Sequence, residues 1–201
     1  SREKGLTENV HICEVCTGQP GAKPMAPNEE AVKKAVQLGL LLKCSINNNL
    51  HWMRKHYDWP DMPKGYQNTM SGAHAIPLGE KGNFSGISIS SMHLEEDPAS
   101  WDPKTGCVDY NRSGLPLVEI VTEPEFHFAE EVMEWLHKLV HALSYLGVAD
   151  SNAGIKVDVN VSIPGKSERV EVKNITSIEA IGNAINYELE SQAREGSVRE
   201  T

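Results

Sequence analysis

No stretch of this 201-residue chain approaches the roughly 18 consecutive apolar residues of a membrane-spanning helix. Cysteine is scarce: there are four, Cys13, Cys16, Cys44 and Cys107, and their spacing excludes the disulfide framework of a small secreted domain. Positive charge is also short, with 19 Lys and Arg against 28 Asp and Glu and a net charge of −9. That balance argues against general binding of nucleic acid, because affinity for phosphate backbones comes from Lys and Arg. If RNA is a partner, this part holds one end locally and the body is gripped elsewhere. The chain opens on Ser1, without an initiator methionine or apolar leader. It is therefore expected to be soluble, cytoplasmic, off the membrane, and part of a longer protein. The length suits one domain, residues 1–201, with a sizeable core and no internal linker or repeat.

What is present is a run of acid at residues 93–125, HLEEDPASWDPKTGCVDYNRSGLPLVEIVTEPE. It holds Glu95, Glu96, Asp97, Asp102, Asp109, Glu119, Glu123 and Glu125. Leu117, Val118, Ile120 and Val121 flank Glu119, which places it in a predicted strand. The turn-rich pieces DPASWDP and NRSGLP can fold one acidic segment back on another. Converging carboxylates repel unless a hard cation sits between them, and magnesium is commonly held by one or two carboxylates plus nucleotide phosphates. The alternative from the residues alone is a solvated acidic turn.

The rest of the chain reads as an α+β fold, mainly antiparallel sheet with three packed helices. Residues 1–27 read as loop and hold the Cys13–Cys16 pair, half of a zinc knuckle or two free thiols on a turn; His11 beside it reads as incidental. Asn28 caps a helix whose apolar face is Ala31, Val32, Ala35, Val36, Leu40 and Leu42, with Glu29 and Glu30 at its start and Lys43 at its end. Residues 51–67 read as a basic, aromatic loop, since Pro60 and Pro63 exclude a helix interior. Residues 84–94 alternate as a strand leading into Glu95 and Glu96. In an extended chain those two point to opposite faces, so one ion reaches both only if the strand ends or bulges there.

The clearest helix spans 128–146 and stops at Gly147. His137 and His141 on it read as a surface pair. Residues 155–175 read as a hairpin: Lys156, Asp158, Asn160 and Ser162 share one face of the first strand, and Arg169, Glu171 and Lys173 one face of the second. Valines fill the opposite faces. Thr176 with Glu179 reads as a capping box for a last helix ending near Gly196. The hairpin's polar face is either simply wet or the wall of a nucleotide site.

HLEED followed by VDYNRSGLPLVEIVTEP resembles the family formed by the B and E subunits of the tRNA-dependent amidotransferases, which carries this long ungapped pattern. ICEVCTGQPG matches the second half of that family's zinc motif. Arg54, Lys55, Tyr57, Pro60, Asp61, Pro63, Lys64, Tyr66 and Gln67 match its basic aromatic segment, with Trp59 where tyrosine is usual. KVDVNVSI and RVEVKN match as well, so the resemblance covers essentially the whole chain. The compact zinc motif is similar to the B type rather than the E type.

The resemblance implies a catalytic domain similar in fold to glutamine synthetase and guanidino kinases, with C-terminal helical and tRNA-binding tail domains lying beyond it. It implies that ATP phosphorylates the side-chain carboxylate of Asp or Glu misacylated on tRNA, and that ammonia from glutamine then gives Asn-tRNA or Gln-tRNA. The implied partners are the amidase (A) subunit, the small (C) subunit and misacylated tRNA, in a heterotrimeric ligase. The implied catalytic residues are Glu95, Glu96, Glu119 and Lys173. Glu96 and Glu119 carry over as magnesium ligands and Glu95 as the ligand of a second magnesium, with a further histidine ligand in an upstream segment. Arg54, Lys55, Tyr57, Lys64, Tyr66, Asn111, Arg112, Asp158, Asn160 and Glu171 are the implied substrate and nucleotide contacts. Cys13 and Cys16 are the implied zinc half-site. Two rivals remain: a stand-alone ligase of the glutamine synthetase kind, and a non-catalytic zinc-binding RNA adaptor.

Overall fold

A computed structural model describes residues 7–23, 25–149 and 155–195. The chain divides into two compact units, split after Pro124. The fold is α+β, as the periodicities indicate.

The first unit opens with loop and then α1 (Glu29–Leu41). Asn28 caps α1, its side chain accepting from the Ala31 N–H at 3.1 Å. The buried residues are Ala35, Leu38 and Gly39, with Leu42 just beyond; Leu40 is exposed, a correction to the expected face. Lys43 lies past the helix end with φ 55°, so it leaves the last turn rather than capping it. Gly39 is where α1 meets the sheet: a Cβ there would fall 2.5 Å from Ile46 Cδ1 and 2.9 Å from Met92 Cε.

Strands β1 (Ser45–Ile46), β2 (Met53–His56), β3 (Tyr66–Thr69), β4 (Gly79–Phe84), β5 (Ile87–Glu96) and β8 (Pro116–Thr122) form one antiparallel sheet in the order β1-β4-β5-β3-β2, with β8 also on β5. Between them, β6 (Ser100–Trp101) and β7 (Val108–Asp109) pair as a small ribbon. Two expectations are corrected here. The basic aromatic segment is a hairpin, β2 pairing β3 from Met53↔Thr69 to His56↔Tyr66, and its prolines fall in the connection. The single strand expected at 84–94 is two strands, β4 and β5, joined through Ser85 and Gly86, both at positive φ. Leu42, Met70, Leu78, Ile89, Met92 and Leu94 form the core. Ile89 and Met92 are both buried although an odd number of residues apart; the register slips between Ile89 and Ser91 against β8, and such a bulge changes which face a side chain takes.

The second unit holds α2 (Ala129–Leu146), β9 (Val157–Val161), β10 (Val170–Ile175) and α3 (Ile178–Glu195). Glu131 accepts from the N–H groups of His127 and Phe128, closing the start of α2, and Gly147 at φ 65° ends it. Trp135, Leu136, Leu139 and Leu143 are its buried side, and His137 and His141 are exposed. β9 and β10 pair antiparallel, Glu171 facing Asn160 and Val172 facing Val159. Ser177 rather than Thr176 starts α3: its hydroxyl accepts from the Ala180 N–H at 3.1 Å. The expected end near Gly196 lies outside the described residues. Ile181 and Ile185 are buried with Gln192, which no periodicity marked. Gln192 donates to the Val161 carbonyl and the Glu188 carboxylate and accepts from Ser167, so an amide in the core is fully hydrogen-bonded.

Candidate active site

β5 runs through both Glu95 and Glu96, so alternation sends them to opposite faces, and their partners agree. Glu95 accepts from the Thr69 hydroxyl and, at 3.3 Å, from Gln67 Nε2. Glu96 accepts from Lys64 Nζ and, at 2.9 Å, from Asn68 Nδ2, while its carbonyl takes Gln67 Nε2 at 2.8 Å. Gln67 and Thr69 are buried. The Lys64 side chain is only 8% exposed and that of Glu96 24%, so this ion pair is largely out of water. Such a pair holds its geometry because each charge needs the other.

Antiparallel register supplies the rest. Glu119 on β8 stands opposite His93, and Leu117 opposite Glu95. Residues directly opposite share a face, so Glu95, His93 and Glu119 lie on one side of the sheet and Glu96 on the other. His93 is buried, with Nδ1 2.9 Å from the Met70 carbonyl and Nε2 2.8 Å from Ser91 Oγ. The carbonyl can only accept, so Nδ1 carries the proton.

Glu96 shares its face with a second group. Arg54 stands opposite Asn68. The Arg54 guanidinium lies 4.8 Å from the Tyr66 ring centroid and Lys64 Nζ 5.1 Å from it, so two cations flank one aromatic ring. Lys55 stands opposite Gln67, on the side of Glu95. Tyr57 is half-buried; burial first, then the charges of Asp61, Glu95 and Asp97, push its phenol up to about 12.

Other implied contacts have structural duties. Asn111 Oδ1 accepts from the N–H groups of Val10 and His11, both at 2.9 Å, and its Nδ2 donates to the Thr7 carbonyl. Arg112 donates to the Pro98 carbonyl at 2.9 Å and stands 3.6 Å from Asp97. Asp102 and Asp109 each accept a main-chain N–H two residues on, as turn-forming acids do. On the hairpin of the second unit, Asp158, Asn160, Glu171 and Lys173 are exposed. Asp158 accepts from the Asn174 N–H at 2.8 Å, where the strand bulges, and Lys173 pairs with Glu171 at 3.2 Å.

Cys13 and Cys16 sit on one turn with their sulfurs 3.2 Å apart, and the Cys16 N–H points to Cys13 Sγ at 3.4 Å. The Cys16 main-chain and thiol hydrogen bonds lower the pKa of Cys13 below the ordinary thiol range, while burial raises that of Cys16. Two soft sulfurs on one turn are donors of the kind that half a tetrahedral zinc site uses. Among the described residues no group of three or more His, Cys, Asp or Glu side chains converges to hold a metal. Glu95 and Glu119 put hard oxygen donors, the type magnesium takes, on a shared face. Glu96, grouped with Glu119 at one ion by the resemblance, faces the other way and is bound to Lys64.

Asn68 and Thr69 are not singled out by sequence reasoning, and Gln67 only as part of the matched basic aromatic segment, not as a partner of the glutamates. Their signal is register: only once β3 is laid against β5 do they meet the two glutamates.

The six-stranded antiparallel sheet thus carries Glu95 and Glu96 at the end of β5, one on each side. Residues 1–201 match the family model described as the GatB/GatE catalytic domain, and the chain belongs to that family. It is 46% identical over 186 residues to the B subunit of the aspartyl/glutamyl-tRNA(Asn/Gln) amidotransferase of Methanopyrus kandleri, covering 92% of this chain and 39% of that protein. It is 45% identical over 190 residues to the protein of the same name from Methanobrevibacter smithii, covering 94% and 41%. The Methanosphaera stadtmanae protein of that name is also 45% identical, over 182 residues, covering 90% and 39%. The chain thus spans about two-fifths of the length of these relatives. No helix among the described residues is long and apolar enough to cross a membrane.

Proposed function

We propose that this chain is the catalytic part of the B subunit of a tRNA-dependent amidotransferase. It phosphorylates the side-chain carboxylate of Asp on tRNA(Asn), Glu on tRNA(Gln), or both, with ATP. Ammonia released from glutamine by the amidase (A) subunit, held with the small (C) subunit, then displaces phosphate to give the amide. The observation that carries this reading is the family match over the whole chain, together with the names of its relatives. Activation is needed because a carboxylate is a poor electrophile and its oxygen a poor leaving group. ATP and magnesium are the proposed cofactors; magnesium, when bound, neutralises charge on the phosphoryl group in flight. Glu95, Glu96 and Glu119 are its proposed donors. The shared face of Glu95 and Glu119 supports that role for those two; Glu96 faces the other side, beside Lys64, and joining them would require the end of β5 to rearrange. Arg54, Lys64 and Tyr66 are proposed to meet the nucleotide or the acceptor end, supported by their grouping around one ring. Cys13 and Cys16 are proposed to hold half of a zinc site, supported by their shared turn. A cytoplasmic location is proposed with this role in translation.

The test is Glu119→Gln in the full-length complex. tRNA-dependent ATP hydrolysis should be lost while the amidase partner still hydrolyses glutamine. Normal formation of Asn-tRNA or Gln-tRNA by that variant overturns the assignment.

A further inference from the structure

The segment that carries the two thiols is fastened to β7 and the loop after it. Asn9 donates its N–H to Asp109 at 3.1 Å and its Nδ2 to the Val108 carbonyl at 3.0 Å, and its Oδ1 accepts from the Tyr110 N–H at 2.8 Å. Asn111 holds Thr7, Val10 and His11 from the other side. Ser113 donates its hydroxyl to the Cys16 carbonyl at 3.1 Å. These bonds join residues about a hundred positions apart, so the loop is docked rather than merely adjacent.

The far side of the same loop meets the β2–β3 connection. Gly18 has φ 67°, and a Cβ there would lie 2.5 Å from the Pro63 carbonyl oxygen and 3.1 Å from the Lys64 nitrogen. No side chain fits that approach, and the left-handed backbone disfavours one independently. Val15, Gly18, Gln19 and Ala22 then form one wall of a cleft of about 150 Å³ whose other wall is Lys64 and Tyr66. The loop therefore closes over the residue whose ammonium engages Glu96.

We propose that the Cys13–Cys16 loop is a positioning element for the Lys64–Glu96 pair, acting through the contact of Gly18 with Pro63 and anchored by Ser113 on Cys16. The thiol loop lies in the same compact unit as Lys64 and Glu96, and its order sets how deeply Lys64 is covered. Metal captured by the two thiols would thereby bear on the acidic strand without touching it. The functional weight of this inference rests on the activity proposed above, whereas its test reads Lys64 directly.

The test is the reactivity of Lys64 toward acetic anhydride, read by peptide mass spectrometry in the intact protein, with exposed Lys33 as the internal control. Gly18→Ala should force the loop off Pro63 and raise Lys64 acetylation about tenfold, the scale of a local opening, with Lys33 unchanged. Ser113→Ala adds no backbone strain and should raise it about fivefold through loss of one hydrogen bond. Restoring a hydroxyl in Ser113→Thr should recover the protection. Lys64 that stays protected in Ser113→Ala overturns the coupling, whatever Gly18→Ala does. A failed amidotransferase assay with selective exposure of Lys64 would remove the activity and leave the coupling standing.

Discussion

Two sets of strands in this chain carry polar side chains and treat them differently. On β3 and β5 polar side chains are drawn in: Gln67, Thr69 and His93 are buried on the side of Glu95, and on the opposite side Glu96 pairs with Lys64 of the β2–β3 connection largely out of water. On β9 and β10 the polar side chains stay out, and the Lys173 and Glu171 side chains keep 60% and 42% of their exposure. β5 has β3 and β4 on one edge and β8 on the other, whereas among the described residues β9 and β10 pair only with each other. A strand with neighbours on both edges brings polar side chains within reach of one another from three strands; a two-stranded ribbon cannot. Alternation decides which side chains share a face, and the number of flanking strands decides whether those side chains are enclosed or wet.

The largest test of that difference is Glu96→Ala. It strands the Lys64 ammonium in a nearly closed position, and breaking such a pair from one side costs about 3 kcal/mol. Chemical denaturation followed by tryptophan fluorescence should show a loss of that order; a loss near zero would make the two faces equivalent. Next is Thr69→Val, which keeps shape and removes the hydroxyl that Glu95 accepts from. It should cost about 1–2 kcal/mol, since Gln67 remains as the second donor.

Tyr57 sharpens the comparison through pH. Its folded-state pKa is raised to about 12 from an ordinary value of 10.0, so the unfolded chain releases this proton first. The stability tied to the neutral phenol is fully present below about pH 10 and is lost as pH rises through about 12. Absorbance titration at alkaline pH should show a late phenolate phase that Tyr57→Phe removes; a titration unchanged by that substitution would mean Tyr57 is not enclosed. The smallest expected effect on the fold is that of Lys173→Met on the hairpin. An exposed pair contributes about 0–1 kcal/mol, so the melting curve should barely move. Under the proposed activity its ATP turnover should nevertheless fall by about tenfold or more, because charge placement carries most of phosphoryl-transfer catalysis. Unchanged turnover would leave the hairpin face as surface alone.

Much of the fold is legible in the residues alone. Periodicity locates α1, α2 and the β9–β10 hairpin, because a helix or a ribbon half in water prints its own period on the sequence. The flanking aliphatics put Glu119 in a strand, and the residue types of the acidic run point to oxygen chemistry. Local signals fail where a partner decides. The basic aromatic segment is a hairpin because β3 meets β5, which its prolines and charges do not announce. Leu40 is apolar yet exposed, because the face of α1 is chosen by the Gly39 contact with Ile46 and Met92. Sequence spacing determined that Glu95 and Glu96 part company on an extended chain. Only the pairing of β5 with β8 decided which of them shares a face with Glu119, since register is a relation between strands and neither strand carries it alone.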